Sequence, residues 1–174
     1  KRIEEDYLRI IRFIRFKIMY NSKIEETTNK AIKQNLNGIT KISKERILVE
    51  LYKILNLRNF INLNESDYLK EIFNLIFPEF KNINRLDRLK KIYKHSEINL
   101  KLILAVLLID NDNNHEYFSH KYNVSNEIKD ELHLLAKNFQ SLKDNKDLFN
   151  KDLEKNIYLT DKSHLINLNI LKLF

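Results

Sequence analysis

The chain has 174 residues, a net charge of +7, 43% hydrophobic residues, one glycine, one proline and no cysteine. That length and apolar content support a buried core in one domain or two small packed ones, whereas Gly38 and Pro78 alone cannot punctuate the turns of a sandwich, barrel or doubly wound sheet. The missing cysteines exclude disulfides and thiolate metal sites, and the longest apolar run, Leu102 to Ile109, is too short to span a bilayer.

An all-α fold follows, read from helical periodicity and end signals as an elongated array of about nine or ten helices. Glu4, Glu5 and Asp6 favour the positive end of a first helix running to Tyr20, where Asn21-Ser22 ends it. A second spans Glu25 to Asn35 and closes near Gly38. Ser43 is placed to cap the next, which reaches Leu55. Asn64 and Asp67 stand in a cap-like arrangement before a helix stopped by Pro78. Helices over Arg85 to Lys94, Ser96 to Ile109, His115 to Tyr122, Ser125 to Gln140, Asp144 to Asn156 and Thr160 to Lys172 complete the series.

The first helix holds the most informative pattern. About 100° of rotation per residue places Arg9 among Phe13, Phe16 and Tyr20, with Asp6 at the edge of that aromatic face. A carboxylate only accepts hydrogen bonds and a guanidinium only donates. Side by side they match the amino group and ring nitrogen of cytosine or adenine, and oppose the carbonyl and N–H of guanine or uracil. Two readings remain open at this point, an intrahelical ion pair and a base-recognition site.

Further residues bear on the choice. Arg2 to Phe16, followed by Ile42-Ser43-Lys44-Glu45-Arg46-Ile47-Leu48-Val49-Glu50-Leu51, resembles two consecutive motifs of the bacterial CCA-adding tRNA nucleotidyltransferases and their poly(A) polymerase relatives, E-D-x-x-R-x-x-R-F and I-S-x-E-R-I-x-x-E-L. The likeness runs loosely to Phe139. It implies that Asp6 and Arg9 form a protein template for the incoming CTP or ATP, with Arg12 helping through the phosphates, and that Glu45, Arg46 and Glu50 brace the helices holding that template. It also implies three parts: a neck over 1–62, a basic RNA-contacting body over 63–109 and a helical tail over 110–174.

In that family the chemistry belongs to a preceding head with a Gly-rich phosphate loop and an Asp-x-Asp strand, neither of which these residues contain. The expectation is therefore a nucleotide-selecting and RNA-binding portion, cytoplasmic and without a membrane partner, inactive until joined to a head that binds Mg2+. Fragment, split product and gene remnant all fit that expectation. So does a different class, a free-standing helical RNA-binding module whose charge pair is only structural.

The charge is uneven, with 22 Lys and Arg against 13 Asp and Glu over residues 1–109 and 9 against 11 beyond. Arg85, Arg88, Lys91 and Lys94, spaced by three, are the candidates for contact with the phosphates of a tRNA or other RNA 3' end. Asp110-Asn111-Asp112 reads as a polar turn capping the next helix rather than a catalytic pair. His115-Glu116 begins like the zinc motif H-E-x-x-H, but His120 comes one residue too late to share its face. No catalytic residue and no metal site are expected in this chain.

Overall fold

Apolar side chains at helical spacing, with polar residues able to cap each end, sort the chain into short amphipathic rods that must pack to hide one face. In the computed structural model the described residues are 2–22, 25–93, 98–110, 112–144 and 161–174. They form ten α-helices and no strand: α1 Arg2–Glu5, α2 Leu8–Tyr20, α3 Glu26–Asn35, α4 Lys44–Leu55, α5 Asp67–Ile76, α6 Arg85–Ile92, α7 Leu100–Leu108, α8 Asn114–Lys121, α9 Asn126–Asp144 and α10 Lys162–Leu171. Two 3₁₀ segments, Leu36–Lys41 and Arg58–Glu65, connect α3 to α4 and α4 to α5. The helix expected from Asp144 to Asn156 lies, past its first residue, outside the described residues.

Two expected helix starts are corrected. The first helix does not run unbroken through Asp6. Its carboxylate accepts the Leu8 N–H at 3.1 Å and its carbonyl accepts the Arg9 N–H at 3.1 Å. A short acceptor side chain thus competes with the helical ladder, ending α1 and restarting the chain as α2. At α5 the cap is Ser66, whose hydroxyl accepts the Leu69 N–H at 3.3 Å, while the Asn64 amide donates instead to the Ile83 carbonyl. Ser43 caps α4 as expected, accepting from the Arg46 N–H.

One buried cluster runs from Leu8 on α2 to Leu171 on α10 and passes through both boundaries anticipated near residues 62 and 109. Its centre is aromatic: the Phe73 ring lies 5.5 Å from Phe60, 5.0 Å from Phe77 and 5.5 Å from Phe80. α7 is buried continuously from Leu102 to Ile109, which explains its uninterrupted apolar run. Each leucine so enclosed contributes on the order of 2 kcal/mol of transfer free energy, an upper bound because the unfolded chain also hides some surface.

α2 packs across α4 and the Arg58–Glu65 segment through Leu8, Ile10, Ile11, Ile14 and Ile18. Its N-terminal end is set by Tyr7, whose ring lies where a side chain at position 38 would be. A Cβ on Gly38 would fall 2.0 Å from that ring. Only glycine allows this approach, which is why the chain spends its single glycine there.

Candidate nucleotide and RNA interface

Three arginines on α2, Arg9, Arg12 and Arg15, recur every third residue, and the fold gives them different surroundings. Arg12 Nε lies 3.5 Å from Glu50 Oε1, and Arg15 Nε lies 3.2 Å from Glu50 Oε2. Lys53 Nζ donates to Glu50 Oε1 at 3.0 Å. Glu50 is only 3% exposed, so three cations enclose one buried carboxylate between α2 and α4. Arg15 Nε and Glu50 Oε2 make no aligned hydrogen bond despite their separation, and their attraction is coulombic. Arg15 and Lys53 were not singled out in sequence, although the triplet repeat of arginines was a usable signal for the first of them.

At the other end of the same helix pair the charges stay wet. The Asp6 side chain is 30% exposed and that of Arg9 45% exposed. Arg46 Nη2 on α4 approaches both Asp6 oxygens at 3.3–3.4 Å, and Arg9 Nη1 lies 3.3 Å from Glu5 Oε2. These are exposed, screened pairs, of the kind that contribute little to stability. The aromatic residues expected on this face lie further along α2, toward its C-terminal end: Phe16 and Tyr20 are exposed and stacked at 6.2 Å, and it is the Arg15 guanidinium that lies over Phe16, at 4.9 Å.

The residues grouped as bracing separate into three roles. Glu50 ties α4 to α2, and Arg46 reaches Asp6. Glu45 is exposed in the first turn of α4, where hydrogen bonding to its own backbone N–H and then to the Ser43 hydroxyl holds its carboxylate below the usual range. It therefore braces the start of α4, with the Asn123 side chain as a further, weaker partner.

The basic body is less available than its composition suggested. Arg85 Nη1 donates to the carbonyls of Val106 at 3.0 Å and Ile109 at 2.8 Å, closing the C-terminal end of α7. Burial lowers the Arg85 pKa, with Asp110 opposing that shift. Arg88 donates to the Leu173 carbonyl, and both guanidiniums lie 5.9 Å from the Phe174 ring. Lys90 pairs with Glu65, Lys81 with Asp112 and Lys101 with Glu127. Lys91 is exposed, and Lys94 lies outside the described residues.

Asp110 and Asp112 do not fit the Mg2+ implied by the resemblance. Asp110 Oδ1 accepts the backbone N–H of Asp112 at 3.0 Å and of Asn114 at 3.4 Å, capping the approach to α8, and Asp112 faces Lys81. Among the described residues, the side chains that do converge with metal-ligand spacing are His115, Glu116 and His133 on α8 and α9. No described helix is long and apolar enough to cross a membrane.

Comparison with known proteins finds relatives over part of the chain. Residues 21–83 match the family described as "Probable RNA and SrmB- binding site of polymerase A". The chain is 33% identical over 112 residues to the CCA-adding enzyme of Staphylococcus haemolyticus, covering 62% of this chain and 26% of that protein. It is 39% identical over 103 residues to the CCA-adding enzyme of Pediococcus pentosaceus, covering 59% and 24%. With the CCA-adding enzyme of Lactococcus lactis the identity is 34% over 138 residues, covering 74% and 32%. The chain thus spans about a quarter to a third of the length of these relatives. No solved structure matches it at the same stringency.

Proposed function

We propose, from its likeness to the CCA-adding enzymes and to the RNA-binding region of polymerase A, that the chain is the nucleotide-selecting and RNA-binding portion of a tRNA nucleotidyltransferase. Asp6 and Arg9 pair with the Watson–Crick edge of CTP or ATP, and Arg12 uses the outer part of its guanidinium on the phosphates. The observation that carries this reading is the contrast in burial between the two ends of the α2–α4 pair: Glu50 is enclosed by its cations, whereas Asp6 and Arg9 remain open to solvent. Asp6 accepts from the base amino group and Arg9 donates to its ring nitrogen. Guanine or uracil would set like groups against each other, and recognition sites built on polar groups reject such mismatches strongly.

The transfer itself, of CMP or AMP to an RNA 3' hydroxyl, requires a head domain with its Mg2+. The 174 residues alone are expected to add no nucleotide. Phosphate contact falls to Arg88 and Lys91 on α6 together with the cations at the open end of α2, since Arg85 is occupied with α7.

The test joins the chain to a nucleotidyltransferase head and measures incorporation of each of the four nucleotides. Arg9→Ala should lower the preference for C and A over G and U at least tenfold while thermal unfolding stays near wild type. Unchanged selectivity in a folded, active fusion would overturn the template reading. The alternative, a helical RNA-binding module without nucleotide recognition, draws support from the Arg46 contact to Asp6, which gives that carboxylate a partner within the protein. In that case Arg9→Ala changes no selectivity, yet tRNA binding persists and weakens steeply with salt.

A further inference from the structure

His115 and Glu116 begin α8, and His133 projects from α9; one ligand atom from each lies within 4.8 Å of the other two. His133 Nδ1 sits 3.2 Å from Glu116 Oε1, and the two imidazole rings are 6.5 Å apart between centroids. His115 is 4% exposed, and its Nδ1 has no hydrogen-bond partner. Buried polar atoms are nearly always satisfied, so an orphaned imidazole nitrogen in a polar groove is an observation that asks for a ligand. The same groove is lined by Asp110, Lys137 and Gln140. Asp110 adds negative potential. The Lys137 ammonium opposes it, on a long side chain at an exposed position.

We propose that His115, Glu116 and His133 form a binding site for a divalent transition-metal ion of the zinc class, clamping α8 to α9. Two imidazole nitrogens and one carboxylate oxygen are a donor set suited to zinc and its neighbours, while magnesium prefers oxygen alone. Three protein ligands leave a fourth position for water. Zinc holds nitrogen and oxygen ligands at about 2.0–2.2 Å, which places them roughly 3.3 Å apart in a tetrahedron. The present spread must therefore contract by more than an ångström. Glu116 and His133 are both exposed, so rotation of those two side chains toward the buried His115 supplies the movement without disturbing the core. This site is independent of the proposed nucleotide template and stands or falls separately.

The experiment titrates Zn2+ into the purified 174-residue chain by calorimetry, with thermal unfolding recorded in parallel. One equivalent should bind, the unfolding midpoint should rise, and Mg2+ in thousandfold excess should not displace the ion. His133→Ala, at an exposed position, should keep the helical circular dichroism of the parent and weaken Zn2+ binding at least tenfold. Glu116→Gln should weaken it by a smaller factor. Absence of saturable binding would overturn the site, as would displacement by Mg2+. Wild-type affinity in His133→Ala would do the same by placing the ion on other histidines. His115→Ala is left aside because that side chain is buried in the fold.

Discussion

The two ends of the α2–α4 pair use the same chemistry for opposite purposes. Around Glu50, one buried carboxylate from α4 meets the partly exposed Arg12 and Arg15 of α2. Around Asp6, a carboxylate of the α1–α2 junction meets Arg46 of α4 at a similar distance but in contact with solvent. Burial makes the first pair costly to break, because a lone buried charge has no solvation to fall back on. Exposure makes the second pair cheap to open, since water and salt replace the lost partner. An ion pair that a nucleotide must compete with is useful only if it is weak. The buried pair joins the helices, and the exposed pair is the one assigned to the ligand under the proposed function.

Glu50→Gln should have the largest effect. It strips the buried negative charge from three cations, and as Arg12 and Arg15 are partly exposed, the loss should be about 2–3 kcal/mol rather than the full cost of a buried pair. Urea unfolding would measure it, and a loss below about 0.5 kcal/mol would mean that the two ends are energetically alike. Gly38→Ala comes next, because the new methyl falls within the Tyr7 ring. Overpacking of this kind typically costs about 1–3 kcal/mol. As Tyr7 adjoins Asp6, this change should also disturb nucleotide choice in a head-bearing fusion.

Asp6→Ala removes both the acceptor for the Leu8 N–H and the Arg46 contact. Its cost should be about 1 kcal/mol, the usual size of a lost N-terminal cap plus a screened pair. Smallest of all, Arg9→Ala should shift unfolding by less than about 0.5 kcal/mol. A large stability loss at Arg9 with Glu50→Gln nearly silent would invert the comparison and with it the assignment of roles.

Much of the helical architecture was readable from local rules. The Ser43 cap, the stop ahead of Pro78 and the apolar run of α7 each depend on residues within one or two turns of each other. The start of α2 was misread because Asp6 was taken as a helical residue, when its carboxylate bonds to the Leu8 N–H and breaks the ladder. The basic body differs from its reading for another reason: the spacing of Arg85, Arg88, Lys91 and Lys94 cannot reveal that the carbonyls of α7 and of Leu173 stand opposite two of them. Arg85 is the clearest instance, a cation selected for RNA contact that instead closes a helix end.

Taken alone, the order of residues determined that this chain is helical, where its longest buried segment lies and which family motifs it carries, since those follow from contacts over three or four positions and from pattern. Tertiary structure alone decided which carboxylate is enclosed and which is open, and that His133 rather than His120 comes to His115 and Glu116. Distances between helices are set by how their apolar faces pack, and no spacing along a single helix contains that information.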